Sequence, residues 1–332
     1  MKRFMRSFAA IMVLGTAAVT SSTDANADTL DPAHVPADAK WVIHVDYEAM
    51  SESQLFETIR EKRPQVTQAI SGWLESRYGI DPSQDLHSIT MFSRDYRRYT
   101  GTIVMQTDYQ PDKIEAVLRK EKDYRTSQFE GKTLHTVTLS KQQQPGPSGD
   151  ETMTVVMQDG NTLIVASSRE TAQATIQLLS GEAASLAGKR SALLSDDVST
   201  SWLYGAAIDL QELSDHPISM PVLSQHQRIT WSMGSHSDGK LYERADLVAQ
   251  NEQVAEHMEK VLEGLVAYET LWANGSPATT SLVKNVEVTR NGDTVRFQWM
   301  GETQALLTAL GDIAQRYESW KPILMRRAKN QQ

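Results

Sequence analysis

The chain of 332 residues contains no cysteine. That absence removes disulfides, thiolate nucleophiles and cysteine-bound metal together. Long apolar runs are also missing. The one candidate, Phe8 to Val19, is well short of the ~20 residues that a helix needs to cross a bilayer. There is no excess of positive charge either, since the formal net charge is −9. Binding to phosphate backbones needs a concentrated basic face, so a general nucleic-acid role is disfavoured. No G-x-S-x-G, H-E-x-x-H or phosphate-binding glycine loop is present, which argues against the common hydrolases and nucleotide enzymes.

What is present begins with an export signal. Lys2, Arg3 and Arg6 precede the apolar run, and Ala25-Asn26-Ala27 follows it. This is the charged start, apolar middle and small-x-small end that signal peptidase reads. Residues 1–27 are therefore expected to be removed between Ala27 and Asp28. The remainder is expected to be periplasmic or secreted, with no further membrane span. With no Cys after the run, a lipoprotein anchor is not expected.

The rest reads as a duplication. Val45-Asp46-Tyr47-Glu48 before Met50-Ser51 is matched by Ile208-Asp209-Leu210-Gln211 before Leu213-Ser214. Ile89-Thr90-Met91 is matched by Ile229-Thr230-Trp231, and Ile114-Glu115-Ala116-Val117-Leu118 by Met258-Glu259-Lys260-Val261-Leu262. Gly160-Asn161-Thr162 and Glu170-Thr171 recur as Gly292-Asp293-Thr294 and Glu302-Thr303. Five matches in one order are the signature of an internal repeat.

Each copy alternates strand patterns with helical ones. Trp41 to Tyr47, Ser88 to Ser93 and Thr100 to Asp108 read as strands. Ser51 to Gln54 and Ser167 to Glu170 read as capping boxes. Pro64 should restart a helix, Pro111 should begin one, and Gly79 should end one. The expected fold is α+β: two tandem copies of an antiparallel sheet with helices packed on one face. The first copy spans 28–198, with an inserted hairpin and polar loop over 124–151. The second spans 199–320, and 321–332 forms a basic tail. Whether the sheets pack side by side or join at their edges is left open.

Four constellations could carry chemistry. His44 and Asp46 alternate on one strand and so share a face, where an Asp can orient an imidazole for acid–base work. Against that, Asp209 matches Asp46 but Ala207 stands in place of His44, which fits a helix cap better than a catalytic pair. His87 is a further, weaker candidate. Ser237-Asp238-Gly239-Lys240 has the S-x-x-K spacing of serine acylases, yet it lies between strand patterns and reads as a turn. His216, His226 and His236 are ten residues apart, too far for ligands on one element, and no metal or other cofactor is expected. Trp41, Trp202, Trp231 and Trp299 fall on predicted strands, where aromatic residues are ordinary core fillers.

The opening Leu30-Asp31-Pro32-Ala33-His34-Val35-Pro36-Ala37-Asp38-Ala39-Lys40-Trp41-Val42-Ile43-His44-Val45-Asp46 resembles the start of a group of uncharacterised exported proteins of planctomycete-type bacteria. Gly79-Ile80-Asp81-Pro82-Ser83-Gln84-Asp85-Leu86 and Asp159-Gly160-Asn161-Thr162-Leu163-Ile164-Val165 are similar to segments of the same group. The resemblance implies location and architecture, and carries no catalytic residues. The expected function is that of a non-enzymatic extracytoplasmic protein that binds an envelope protein or ligand. The alternative is an exported hydrolase, or a carrier whose apolar ligand sits among the Trp and Met residues.

Overall fold

The computed structural model describes residues 29–62, 64–97, 100–139, 151–195, 201–215, 223–236, 238–272, 277–309 and 311. The signal segment 1–27 with its cleavage point at Asp28, most of the polar loop before residue 151, His216, Ser237 and the basic tail 321–332 lie outside the described residues.

The chain forms two compact units, which divide after Gly234. The first is built on nine antiparallel strands. They are β1 (Trp41–Asp46), β2 (Leu86–Ser93), β3 (Thr102–Thr107), β4 (Lys122–Phe129), β5 (Lys132–Leu139), β6 (Glu151–Met157), β7 (Thr162–Ala166), β8 (Leu203–Ile208) and β9 (His226–Ser235). Their spatial order is β9-β8-β1-β2-β3-β7-β6-β5-β4. The helices of this unit are α1 (Tyr47–Glu52), α2 (Gln54–Lys62), α3 (Pro64–Tyr78), α4 (Pro111–Leu118) and α5 (Arg169–Leu179). Lys62 and Pro64 mark the break between α2 and α3. Pro64 has no N–H for the preceding helix and suits the first turn of the next. Gly79 follows α3 at φ +67°, and its N–H returns to the carbonyl of Glu75 at 2.8 Å, a left-handed helix stop.

The second unit holds β10 (Leu241–Ala249), α6 (Glu252–Trp272), α7 (Pro277–Lys284), β11 (Val286–Asn291) and β12 (Thr294–Gly301). A helical stretch follows at 303–309. β12 lies between β10 and β11, antiparallel to both.

The α+β class is as expected, and the repeat is visible in the pairing. β3-β7-β6 in the first copy and β10-β12-β11 in the second have the same order and sense. β1 pairs with β2 as β8 pairs with β9. The β4–β5 hairpin extends the first copy beyond this pattern, at the sheet edge. The edge strand β4 is largely exposed. It carries Lys122 and Arg125 around a register shift, features that discourage further strand pairing.

Two separate sheets are not what the first unit contains. β1 pairs with β8 from Trp41↔Ala207 to Val45↔Leu203, so the copies join edge to edge and the unit runs on to Gly234. Asp46 caps α1, as expected of it, but two capping boxes are shifted. The helix bearing Leu55 and Ile59, α2, starts at Gln54, where the Ser53 hydroxyl accepts from the Phe56 N–H at 3.4 Å in place of Ser51. α5 is capped by Ser168 in place of Ser167, its hydroxyl accepting from the Thr171 N–H.

The strands alternate buried and half-buried positions along β1 and β2, so one face carries the core. Val42, Phe92, Val104, Tyr204 and Ala206 pack there with Leu178 of α5 and with Leu186 and Leu193. Tyr204 is fully enclosed, and its hydroxyl donates to the Leu193 carbonyl at 2.8 Å. That bond satisfies the polar end of a ring whose burial contributes to the core.

Candidate functional site

His44 and Asp46 share the buried face of β1, with side chains almost fully enclosed. His44 lies between Thr90 of β2 and Tyr204 of β8 in register, and its Nδ1 meets the Thr90 hydroxyl at 2.9 Å. Asp46 Oδ1 accepts from the Ala49 N–H at 2.9 Å and so caps α1. The matching Asp209 does different work. It stands in the left-handed region at φ 56° and holds its carboxylate 3.9 Å from Lys40.

His87 sits between two carboxylates, with Nδ1 2.5 Å from Glu48 and Nε2 3.3 Å from Asp108. Partial burial works against its charged form, but the hydrogen bonds to Glu48 and Asp108 outweigh it and raise the pKa. The bridge ties α1 to β2 and to the residue just after β3.

Lys240 Nζ pairs with Asp238 at 2.7 Å within the 238–240 turn. That pairing keeps the ammonium charged, the reverse of what a serine-activating base requires. His226 is buried on β9, and His236 is exposed beside the Tyr242 ring. Among the described residues, no three His or carboxylate side chains gather as metal ligands. Trp202 and Trp299 are buried, and Trp202 stands just ahead of β8. Trp41 is half-buried and donates its indole N–H to the Asp95 carbonyl.

Three arrangements were not foreseen from sequence. The first links the inserted hairpin to α4. The Tyr124 hydroxyl reaches Glu115 at 3.2 Å and His135 Nδ1 at 3.0 Å, with the Arg119 guanidinium 5.6 Å from the Tyr124 ring centre. His135 is buried, and burial lowers its pKa. Its Nε2 is enclosed without a partner among the described residues, so the chain of contacts ends inside the fold and serves to hold the hairpin.

The second is a cleft of about 490 Å³ between α5 and the ends of β2 and β3. Phe92, Ala174 and Leu178 line it together with Arg94, Asp95 and Arg97. None of the residues lining it is Trp or Met.

The third lies on α6. α6 packs on β10, β11, β12 and α7, and its Ala255 and Met258 are buried. Beyond them Val261, Leu265, Tyr268 and Leu271 are 50%, 56%, 47% and 73% exposed. Their spacing of three and four places them along one side of the helix. Single exposed apolar side chains are ordinary, but an aligned set on one element marks an interaction surface.

These features define an antiparallel α+β protein with a cleft in one unit and an apolar helix row in the other. No family model matches the chain, and no curated protein matches it. Among solved structures, the chain is similar to crystal form I of TP0453, at a TM-score of 0.44 and 7% identity over 86% of this chain and 98% of that one.

Proposed function

We propose that the protein is a non-enzymatic extracytoplasmic interaction protein, and that the outer turns of α6 dock a helix of another envelope protein. The observation that carries this reading is the exposed row Val261, Leu265, Tyr268 and Leu271. Its spacing fits the anchors of a helix laid against a helix. The partner's chemistry follows from α6 itself. Glu252, Glu256, Glu259, Glu263 and Glu269 outnumber Lys260, so the complementary helix carries an apolar row with basic flanks. Four side chains make a smaller patch than the ~800 Å² per partner of a standard complex, which suits a transient association. The charged opening and small-x-small end of residues 1–27 support export, and the resemblance to exported proteins agrees with it. The roles of His44 in core pairing and of Asp46 in capping support a scaffold in place of an acid–base site.

The test is photocrosslinking in cells with benzoylphenylalanine in place of Leu265. The expected product is an adduct whose crosslinked peptide has apolar residues at three-and-four spacing beside Lys or Arg. The same probe at Glu263, another exposed position of α6, should give much less of it. Adducts confined to lipid, to a second copy of the chain or to its own residues 312–332 would contradict the reading.

A further inference from the structure

We infer that β4 is an edge strand that mild acid releases from the sheet of the first unit, through protonation of His135. This residue lies on β5, opposite Thr126 of β4 and Val155 of β6, and is only 3% exposed. Tyr124 of β4 covers it, the two rings being stacked at 6.0 Å with 29° between their planes. Glu115 and Arg119 of α4 complete the cluster. Together with Tyr124 they are the titratable and charged groups that face the imidazole, since β6 presents Val155 there.

The positions of the protons follow from the chemistry of these groups. The Tyr124 hydroxyl has one proton and stands 3.2 Å from the Glu115 carboxylate and 3.0 Å from His135 Nδ1. The Arg119 guanidinium, 2.7 Å from Glu115, holds that carboxyl below its ordinary pKa and so ionised. A carboxylate can only accept. The hydroxyl therefore donates to Glu115 and accepts from the Nδ1–H, and the neutral imidazole keeps a bare lone pair on Nε2. A second proton would have to sit on that Nε2, which is enclosed without a partner among the described residues. A buried cationic N–H without an acceptor costs far more than an unused lone pair. Burial accordingly lowers the His135 pKa, the Glu115 charge opposing this and the Arg119 charge adding to it.

The strain falls on β4 because little else holds that strand. Tyr124, Ser127 and Phe129 are half-buried, and its other positions are exposed. The pairing with β5 shifts register between Lys122 and Arg125, on either side of Tyr124. Asp123 stands there at φ 55°, a left-handed conformation that is unfavourable for a residue with a side chain. β5, by contrast, is anchored by the fully buried Leu134 and Val137. It carries no Lys, Arg or carboxylate from Thr133 to Leu139. Moving β4 away gives the imidazole water and its proton, and bares an uncharged edge of the kind that accepts further strands. The closed form is favoured above the open-state value near 6.5, and that advantage is lost as the pH falls through it.

The experiment is hydrogen exchange of the full chain, read by mass spectrometry at about pH 7.5 and pH 5.5, either side of the ordinary imidazole value. Each rate is corrected for the intrinsic chemical exchange at its pH. Opening of the β4–β5 ladder should become about tenfold more frequent at the lower pH, while β3 and β7 keep their protection. His135→Gln should abolish that pH dependence. Tyr124→Phe breaks the hydroxyl contacts without removing the imidazole, and should raise exchange of β4 at both pH values. Equal protection of β4 at the two pH values in the parent would overturn the inference. So would a loss of protection in acid that persists in His135→Gln, or one spread evenly over β3, β7 and β4, which would report unfolding of the whole unit.

Discussion

α4 and α6 occupy the same place in the two copies, yet they differ in length and in what they leave uncovered. α4 ends at Leu118, and its Ile114 and Leu118 are fully buried. α6 begins in the same way, with Met258 buried at the position that matches Ile114, and then continues to Trp272. α4 is about two turns long and packs against α3. The apolar row of α6 starts at Val261, which matches Val117, and continues through Leu265, Tyr268 and Leu271 on turns that α4 lacks. The matched positions Ile114 and Met258 are buried in both copies, and the exposed Leu265, Tyr268 and Leu271 lie beyond the length that α4 reaches.

The difference is most easily broken at the buried end. Ile114→Ala should lower the stability of the chain by about 3 kcal/mol, since it deletes a fully enclosed side chain and leaves a cavity. Equilibrium urea unfolding measures the loss.

The sheet beneath α6 has a tie of another kind. Asp246 on β10 is nearly buried, and Arg296 on β12 donates to it at 2.7 and 3.0 Å, with Arg244 at 3.1 Å. Burial alone would raise the Asp246 pKa, but the hydrogen bonds and charges of the two arginines outweigh it and lower the pKa. Asp246→Asn should cost about 3 kcal/mol, because it leaves the arginines without their counter-charge. A group with a lowered folded pKa contributes its stability above the unfolded value near 3.9. The gap between parent and variant should therefore close as the pH falls through the folded value. Urea midpoints measured from neutral to acid pH would show it.

A smaller effect belongs to His87, the tie between α1 and the strands before α4. Its pKa is raised, so its contribution is full below the unfolded value near 6.5 and is lost as the pH rises through the folded value. His87→Gln should cost less than about 1 kcal/mol below that value, since Glu48 and Asp108 both face solvent. Thermal melts at slightly acid and at alkaline pH should show the gap in the first and little in the second.

Much of this architecture was legible in the sequence. Period-two patterns located β1, β2 and β3. Pro64, Pro111 and Gly79 marked helix boundaries through their own backbone constraints, and five ordered matches showed the repeat. The Asp46 cap was legible, but two others were misplaced by one or two residues where serines stand close together, as Ser53 and Ser168 cap in place of Ser51 and Ser167. The β1–β8 junction was not legible, because the hydrophobic pattern of a strand does not name its neighbour. The sites were hidden for related reasons. The cleft brings together residues from β2, β3 and α5 that are far apart in the chain. The Glu115, Tyr124 and His135 contacts depend on how the hairpin docks. The apolar spacing of Val261, Leu265 and Tyr268 is visible in the sequence, but only the extent of the sheet shows that it stays uncovered.

The central claim is that this row serves a partner and not the fold. The most direct test is the urea unfolding midpoint of Leu265→Glu, followed by far-UV circular dichroism. A surface position predicts a change within about 0.5 kcal/mol of the parent. A loss comparable to that of Ile114→Ala would show that the row is part of the protein's own core, and would contradict the account.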